Sequence, residues 1–178
     1  MLIRTATLAD SEAMRNVYRS AFDASESDIT ADLAISLLSE PADEEIISLL
    51  AQRDGQVVGH VCFSPVYVAE QADWLGYLLA PLAVMATAQQ AGVGSRLVRT
   101  GLAQLAAREV NVVLVYGDPA YYSRFGFDVA AAANYLPPYP LTYPHGWQVI
   151  VLRQHAVHHA DAGVRIQCVP SMSAPALW

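Results

Sequence analysis

Apolar and polar positions along the chain follow two rhythms. Met14, Val17, Tyr18, Ala21 and Phe22 recur at helical spacing behind the N-cap residues of Thr7 to Asp10, which predicts a helix after a short first strand over Leu2 to Ala6. A second short helix is predicted over Ala31 to Leu38, ended by Pro41. Ile46 to Arg53 and Gln56 to Val68 are apolar runs joined by Asp54-Gly55, a strong hairpin signal. Trp74 to Met85 reads as a strand. The segment Val93 to Arg108 reads as a helix with Val93, Leu97, Val98, Leu102 and Leu105 on its buried side. Val112 to Tyr116 is almost wholly apolar, the pattern of a strand covered on both faces. Gly117-Asp118-Pro119 then turns the chain into about one helical turn over Ala120 to Arg124. Between Asn134 and Gly146, Pro137, Pro138, Pro140 and Pro144 interleave with Tyr135, Tyr139 and Tyr143, which predicts a stiff extended loop. Trp147 to Leu152 and Val164 to Val169 close the series as strands. The order β-α-α-β-β-β-α-β-α-β-β predicts an α/β or α+β sheet of mixed direction with helices on both faces.

Composition narrows this picture. The 178 residues are 54% hydrophobic and 15% charged, which fits one domain with a substantial core and argues against disorder. No apolar stretch is long enough to span a bilayer, and Met1 to Thr5 has no signal-peptide pattern, so a cytoplasmic protein that does not engage a membrane is expected. A net charge of −7 disfavours nucleic acid as a partner and suits a cationic one. Cys62 and Cys168 lie far apart in the sequence and are expected to be packed free thiols. His155, His158 and His159 lack a carboxylate or Cys at ligand spacing, so no metal is expected there. His60 falls in a strand pattern and is expected to be a satisfied, half-buried histidine. Asp43-Glu44-Glu45 and Asp73 are candidate bases or solvated acids.

The most specific chemistry lies where the strand ending in Leu82-Ala83-Val84 breaks into Gln89-Gln90-Ala91-Gly92-Val93-Gly94 and a long helix begins. Such a junction aims unpaired N–H groups and the positive end of a helix dipole at one point, which makes an anion site. The chain contains no lysine, since all ten of its Lys+Arg residues are Arg, so a phosphate here is expected to be held mainly by backbone and not by a P-loop lysine.

Gln89-x-x-Gly92-x-Gly94, followed by Tyr122-x-x-x-Gly126-Phe127, resembles the acyl-CoA motifs of the GNAT superfamily of N-acetyltransferases. Gly117 to Phe127 and Val58 to Pro65 are similar to its YhbS-like branch. The likeness covers about Ile3 to Val151, which implies an acyltransferase domain over residues 1–152 and a C-terminal extension over 153–178. The fold it implies is a mixed, mostly antiparallel central sheet of six to seven strands. It implies acetyl-CoA as cosubstrate and direct transfer to the amine of a small molecule or peptide. The pyrophosphate would lie on Gln89, Gln90, Ala91, Gly92, Val93, Gly94 and Ser95, and the pantetheine arm would pair like an extra strand with Leu82, Ala83 and Val84, where the family splays that strand from the next. Tyr122 would serve the departing thiolate, with Pro119 and Arg124 also on the cofactor. Arg96, Arg99 and Arg124 are candidates for the 3′-phosphate, Arg124 first. Many members of the family are dimers, so a homodimer stays open. A non-catalytic acyl-CoA-binding module is the alternative.

Two departures bear on affinity. Gln90 stands where the family commonly has a first glycine, and its Pro and Glu are replaced within Ala86-Thr87-Ala88. A left-handed conformation at Gln90 would weaken binding by about 1 kcal/mol. Asp118 is expected to cap the helix bearing Tyr122, Tyr121 is an alternative to it, and Phe125, Gly126 and Phe127 are expected to be structural. The Pro/Tyr loop is a candidate wall of the acceptor pocket.

Overall fold

The structure, a computed structural model, describes residues 1–42, 45–69, 74–153 and 163–178. The described residues form eight strands: β1 (Leu2–Thr5), β2 (Ile47–Arg53), β3 (Gln56–Val68), β4 (Gly76–Val84), β5 (Val112–Tyr116), β6 (Tyr135–Leu136), β7 (Trp147–Val151) and β8 (Val164–Cys168). The α-helices are α1 (Ser11–Ala21), α2 (Ala24–Ser36), α3 (Val93–Ala106) and α4 (Pro119–Tyr122). Hydrogen bonding orders the strands β1-β2-β3-β4-β5-β7, with β8 on β3 and β6. The β4–β5 and β6–β8 pairs are parallel; β1–β2, β2–β3, β3–β8 and β5–β7 are antiparallel. The mixed, mostly antiparallel sheet agrees with the sequence reading. The strand beyond the expected six or seven is β6, two residues inside the proline loop and too short to leave a period-2 pattern.

The chain forms two compact units, Met1–Phe63 with Ala80–Ala103 and Ser64–Leu79 with Gln104–Trp178. In the first, Arg53 pairs with Gln56 across Asp54 (φ 53°) and Gly55 (φ 81°), both left-handed as a two-residue hairpin turn demands. Met14, Val17 and Tyr18 of α1 are fully buried and meet Ala31 and Ala34 of α2, Leu50 of β2 and Ala83 of β4 in one cluster. Helix α2 starts at Ala24, well before the predicted Ala31. Its N-cap Asp23 is extended, and of its first turns only Ser27 is buried, so no apolar periodicity announces them. Gly101 of α3 lies on Phe63, where a Cβ would overlap the ring.

In the second unit, β5 is buried from Val112 to Val115 between β4 and β7, as its apolar run predicts. Asn111, 3% exposed, clips three chain segments: its Oδ1 accepts from Leu75 N–H (2.8 Å), its N–H donates to Leu75 O, and its carbonyl accepts from Leu152 and Arg153 N–H. Trp147 Nε1 donates to Tyr135 O (2.7 Å), and the Trp178 ring meets Trp147 edge-on at 5.8 Å. Among the described residues no helix is long and apolar enough to cross a membrane.

Candidate active site

The first unit holds the strand–turn–helix junction. The β4–β5 ladder runs from Gly76 to Leu79, and β4 continues to Val84 beyond it. Three hydrogen bonds pin that strand end: Met85 N–H to Val58 O (2.9 Å), Ala86 N–H to Ser20 Oγ (3.0 Å) and Gln89 Nε2 to Val84 O (3.1 Å). The turn then passes through Gln90 at φ 60° and Gly92 at φ 76°. Arg96 N–H closes on Gly92 O (3.0 Å), which makes Gly92 the N-cap residue of α3. The N–H groups of Val93, Gly94 and Ser95 therefore have no acceptor inside the helix and sit at its positive end. A Cβ on Gly92 would meet nothing within 4 Å, so glycine is needed there for its backbone angle, and the space before it is open. Gly59 of β3 seats the start of α3, since a Cβ there would lie 3.0 Å from Val93 Cγ1.

Leu82, Ala83, Val84, Gln89, Gln90, Ala91, Gly92, Val93, Gly94 and Ser95 lie along one segment that runs from the end of β4 through the turn into the first residues of α3. The side chains of Ala83 and Val93 are buried in the core, at 3% and 2% exposure. The Gln89 side chain closes the turn onto Val84, a structural use that its motif position did not signal. Gln90 does take the left-handed conformation that its side chain disfavours. Arg96 and Arg99 are exposed.

The second unit holds Tyr122. Asp118 Oδ1 accepts from Ala120 N–H (2.9 Å) and caps α4 as expected, with Pro119 at its first position. The Tyr122 ring meets Tyr121 edge-on at 5.0 Å and Phe127 at 5.8 Å. It also lies against Gly117, where a Cβ would overlap it. Burial, then the neighbouring Tyr121, pushes the Tyr122 phenol well above its usual 10, so it stays protonated. Arg124 is exposed, lies 4.6 Å over the Tyr121 ring and donates to Ala120 O at 3.4 Å. Gly126 (φ 95°) ends the following helical turn, and Phe125 and Phe127 are 8% and 4% exposed, all three structural as expected.

His60 is fully buried, not half-buried: its Nδ1 lies 2.7 Å from Tyr18 Oη and its Nε2 2.8 Å from Ser48 Oγ. Burial lowers its pKa from 6.5 to about 3, so it is neutral. Because β2 and β3 are covered by α1, the strand pattern alone understated how dry this position is. Cys62 and Cys168 are free, and burial pushes both thiols up to about 12, which suits packing and not nucleophilic chemistry. Among the described residues no three His, Cys, Asp or Glu are grouped to hold a metal. Asp43, Glu44, Asp73, His155, His158 and His159 lie outside the described residues, and Glu45 is exposed.

Residues 2–130 match the family model described as an acetyltransferase (GNAT) domain. The chain belongs to the GNAT acetyltransferase family. Among curated relatives, the uncharacterised N-acetyltransferase YjhQ of Escherichia coli is 38% identical over 77% of this chain and 75% of its own length. The uncharacterised N-acetyltransferase YhbS of the same species is 40% identical over 74% and 75%. The crystal structure of Escherichia coli YhbS in complex with CoA superposes with a TM-score of 0.79 at 32% identity, over 97% of this chain and 92% of that one. A Brucella melitensis GNAT acetyltransferase in complex with acetyl-CoA gives 0.67 at 26% identity, over 96% and 97%. The mixed sheet and both motif segments of this acetyltransferase therefore sit in a fold shared with relatives. Asn111 and Ser20, which hold β4 in place, belong to neither motif, and only the structure brings them out.

Proposed function

We propose that this GNAT acetyltransferase moves an acetyl group from acetyl-CoA to a primary amine by direct attack. The observation that carries the reading is the start of α3: Gly92 caps the helix, three N–H groups have no acceptor within it, and the space before Gly92 is open. The residues present fit a pyrophosphate bound by backbone, with Gln90 to Ser95 supplying N–H groups and Ser95 its hydroxyl. Leu82 to Val84 lie beyond the β4–β5 ladder and suit the amides of a pantetheine arm, paired as an added strand pairs. Pro119 and Arg124 complete the cofactor set, with Arg124 freeing its guanidinium from the Tyr121 face for the 3′-phosphate. Acetyl-CoA supplies an activated acyl group on a good leaving thiolate.

The rest is positioning and proton placement. A deprotonated amine attacks the thioester carbonyl carbon, forming the C–N bond. The N–H near Val84 donates to the oxygen that gains charge. As the C–S bond breaks, the Tyr122 hydroxyl donates a hydrogen bond to the departing sulfur. Its raised pKa keeps it protonated across the working range. The nitrogen, cationic after attack, gives up one proton and the departing thiolate takes up one, so that amine and thioester become an amide and a free thiol. The neutral buried thiols leave a Cys-acyl route without a nucleophile among the described residues.

The test is CoA binding by calorimetry together with a thiol-release screen over primary amines. Micromolar CoA binding and release with at least one amine class is expected. Absence of CoA binding would overturn the reading, and binding without release over a broad panel would leave an acyl-CoA-binding module.

A further inference from the structure

A cleft of about 780 Å³ lies wholly within the second unit, in the size range of small-molecule sites. Its floor is the turn from Gly117 to Pro119 that carries α4, one wall is the end of the Pro/Tyr loop, and Trp178 lines another side. The floor is built rigidly. Gly117 N–H donates to Gly146 O (2.9 Å), and the fully buried Gln148 donates from Nε2 to Gly117 O (3.1 Å) and Gly146 O (3.3 Å). Tyr116 Oη accepts from Tyr143 N–H (2.9 Å), tying the loop to β5. Gly146 must be glycine, because a Cβ would press within 2.9 Å of the Tyr116 ring.

The chemistry of the walls selects a ligand. Tyr116, Tyr143 and Trp178 offer aromatic surface, and the Tyr143 side of the rim is open, with that residue 73% exposed. The polar side chains include Asp118, His145 and Thr142, and no arginine lines the cleft among the described residues. One Asp118 oxygen is taken by Ala120 N–H, which leaves the other for a ligand. A carboxylate beside aromatic faces attracts a cation twice over, by charge and by the ring quadrupoles. A wall without arginine disfavours the phosphates of a nucleotide. Gly117, in the floor, lies directly against the Tyr122 ring.

We propose that this cleft is the acceptor pocket and takes a small primary amine carried on a flat aromatic body, its ammonium toward Asp118. The inference rests on the acetyltransferase reading, since the pocket is given to the second substrate of that reaction.

Calorimetry on the full chain without CoA tests it, with 2-phenylethylamine and the anionic 3-phenylpropionate as probes. The amine is expected to bind, with the anion at least about tenfold weaker. Asp118→Asn keeps an equally good helix cap and is expected to weaken the amine about tenfold. Tyr143→Ala, at an exposed position, should weaken it about threefold while its backbone hydrogen bond to Tyr116 survives. Equal binding of amine and anion, no amine binding, or indifference to Asp118→Asn overturns the proposal. So does displacement of the amine by CoA, which would give the cleft to the cofactor. A separate CoA titration keeps the two claims apart. CoA binding without amine binding fails the pocket alone, whereas amine binding without CoA binding fails the acetyltransferase reading and keeps the site.

Discussion

His60→Gln should flatten the acid side of the stability profile. His60 is fully buried between Tyr18 and Ser48, and burial takes its pKa from 6.5 to about 3. A neutral imidazole donates to one hydroxyl and accepts from the other. The unfolded chain takes up its proton near pH 6.5, whereas the folded chain resists until about pH 3. The stabilisation is therefore complete above 6.5 and is lost as pH falls toward 3. At about 1.36 kcal/mol per pH unit, the full loss is about 5 kcal/mol, and about 3 kcal/mol is gone by pH 4.5. Glutamine places an amide near both hydroxyls and does not titrate. Urea denaturation of the native protein and His60→Gln from pH 8 to pH 4.5 gives the difference directly. The native protein should lose about 3 kcal/mol more than the variant over that range. Parallel profiles would refute the claim that a buried neutral histidine couples this core to pH.

Other perturbations follow from single contacts. Gly101→Ala drives a Cβ into the Phe63 ring and should cost about 1–3 kcal/mol in urea denaturation, with part recovered in the double variant with Phe63→Leu. Gln90→Gly relieves a left-handed non-glycine residue. It should leave the fold at least as stable and tighten CoA in calorimetry by up to about fivefold; weaker binding would mean that the Gln90 side chain itself contacts the ligand. Asp10 accepts from both Arg4 nitrogens (2.9 and 2.6 Å), and that guanidinium holds its carboxyl well below the usual range. Asp10→Asn should cost about 1 kcal/mol at pH 7, and the penalty should shrink as pH falls below about 4, where the unfolded carboxylate protonates.

Much of this was legible in the sequence because local signals and tertiary demands coincide. Asp54-Gly55 specifies a hairpin turn through its backbone angles, and the Arg53–Gln56 and Gln52–Val57 pairs follow from it, before a bulge between Gln52 and Ala51 shifts the register. Gly92 marks the α3 cap, and Asp118-Pro119 marks the start of α4, for the same local reason. Where burial is decided by distant packing, the sequence was silent. The first half of α2 is polar, and two-residue β6 exists only because β8 pairs with it. The histidine at position 60 is dry because α1 covers it. The cleft assembles from Tyr116, Asp118, Tyr143 and Trp178, separated along the chain, around a turn held by hydrogen bonds of Gln148 and Gly117 that carry no motif.

The central claim is that Tyr122 serves the leaving thiolate of a CoA held by the α3 turn. Tyr122→Phe keeps the ring against Gly117, Tyr121 and Phe127 and removes only the hydroxyl. The decisive measurement is the turnover of this variant at saturating acetyl-CoA and amine, set beside its CoA dissociation constant. The account predicts a fall in turnover of about 100-fold or more with CoA affinity changed less than about threefold. Unchanged turnover, or a loss explained wholly by weaker CoA binding, would contradict it.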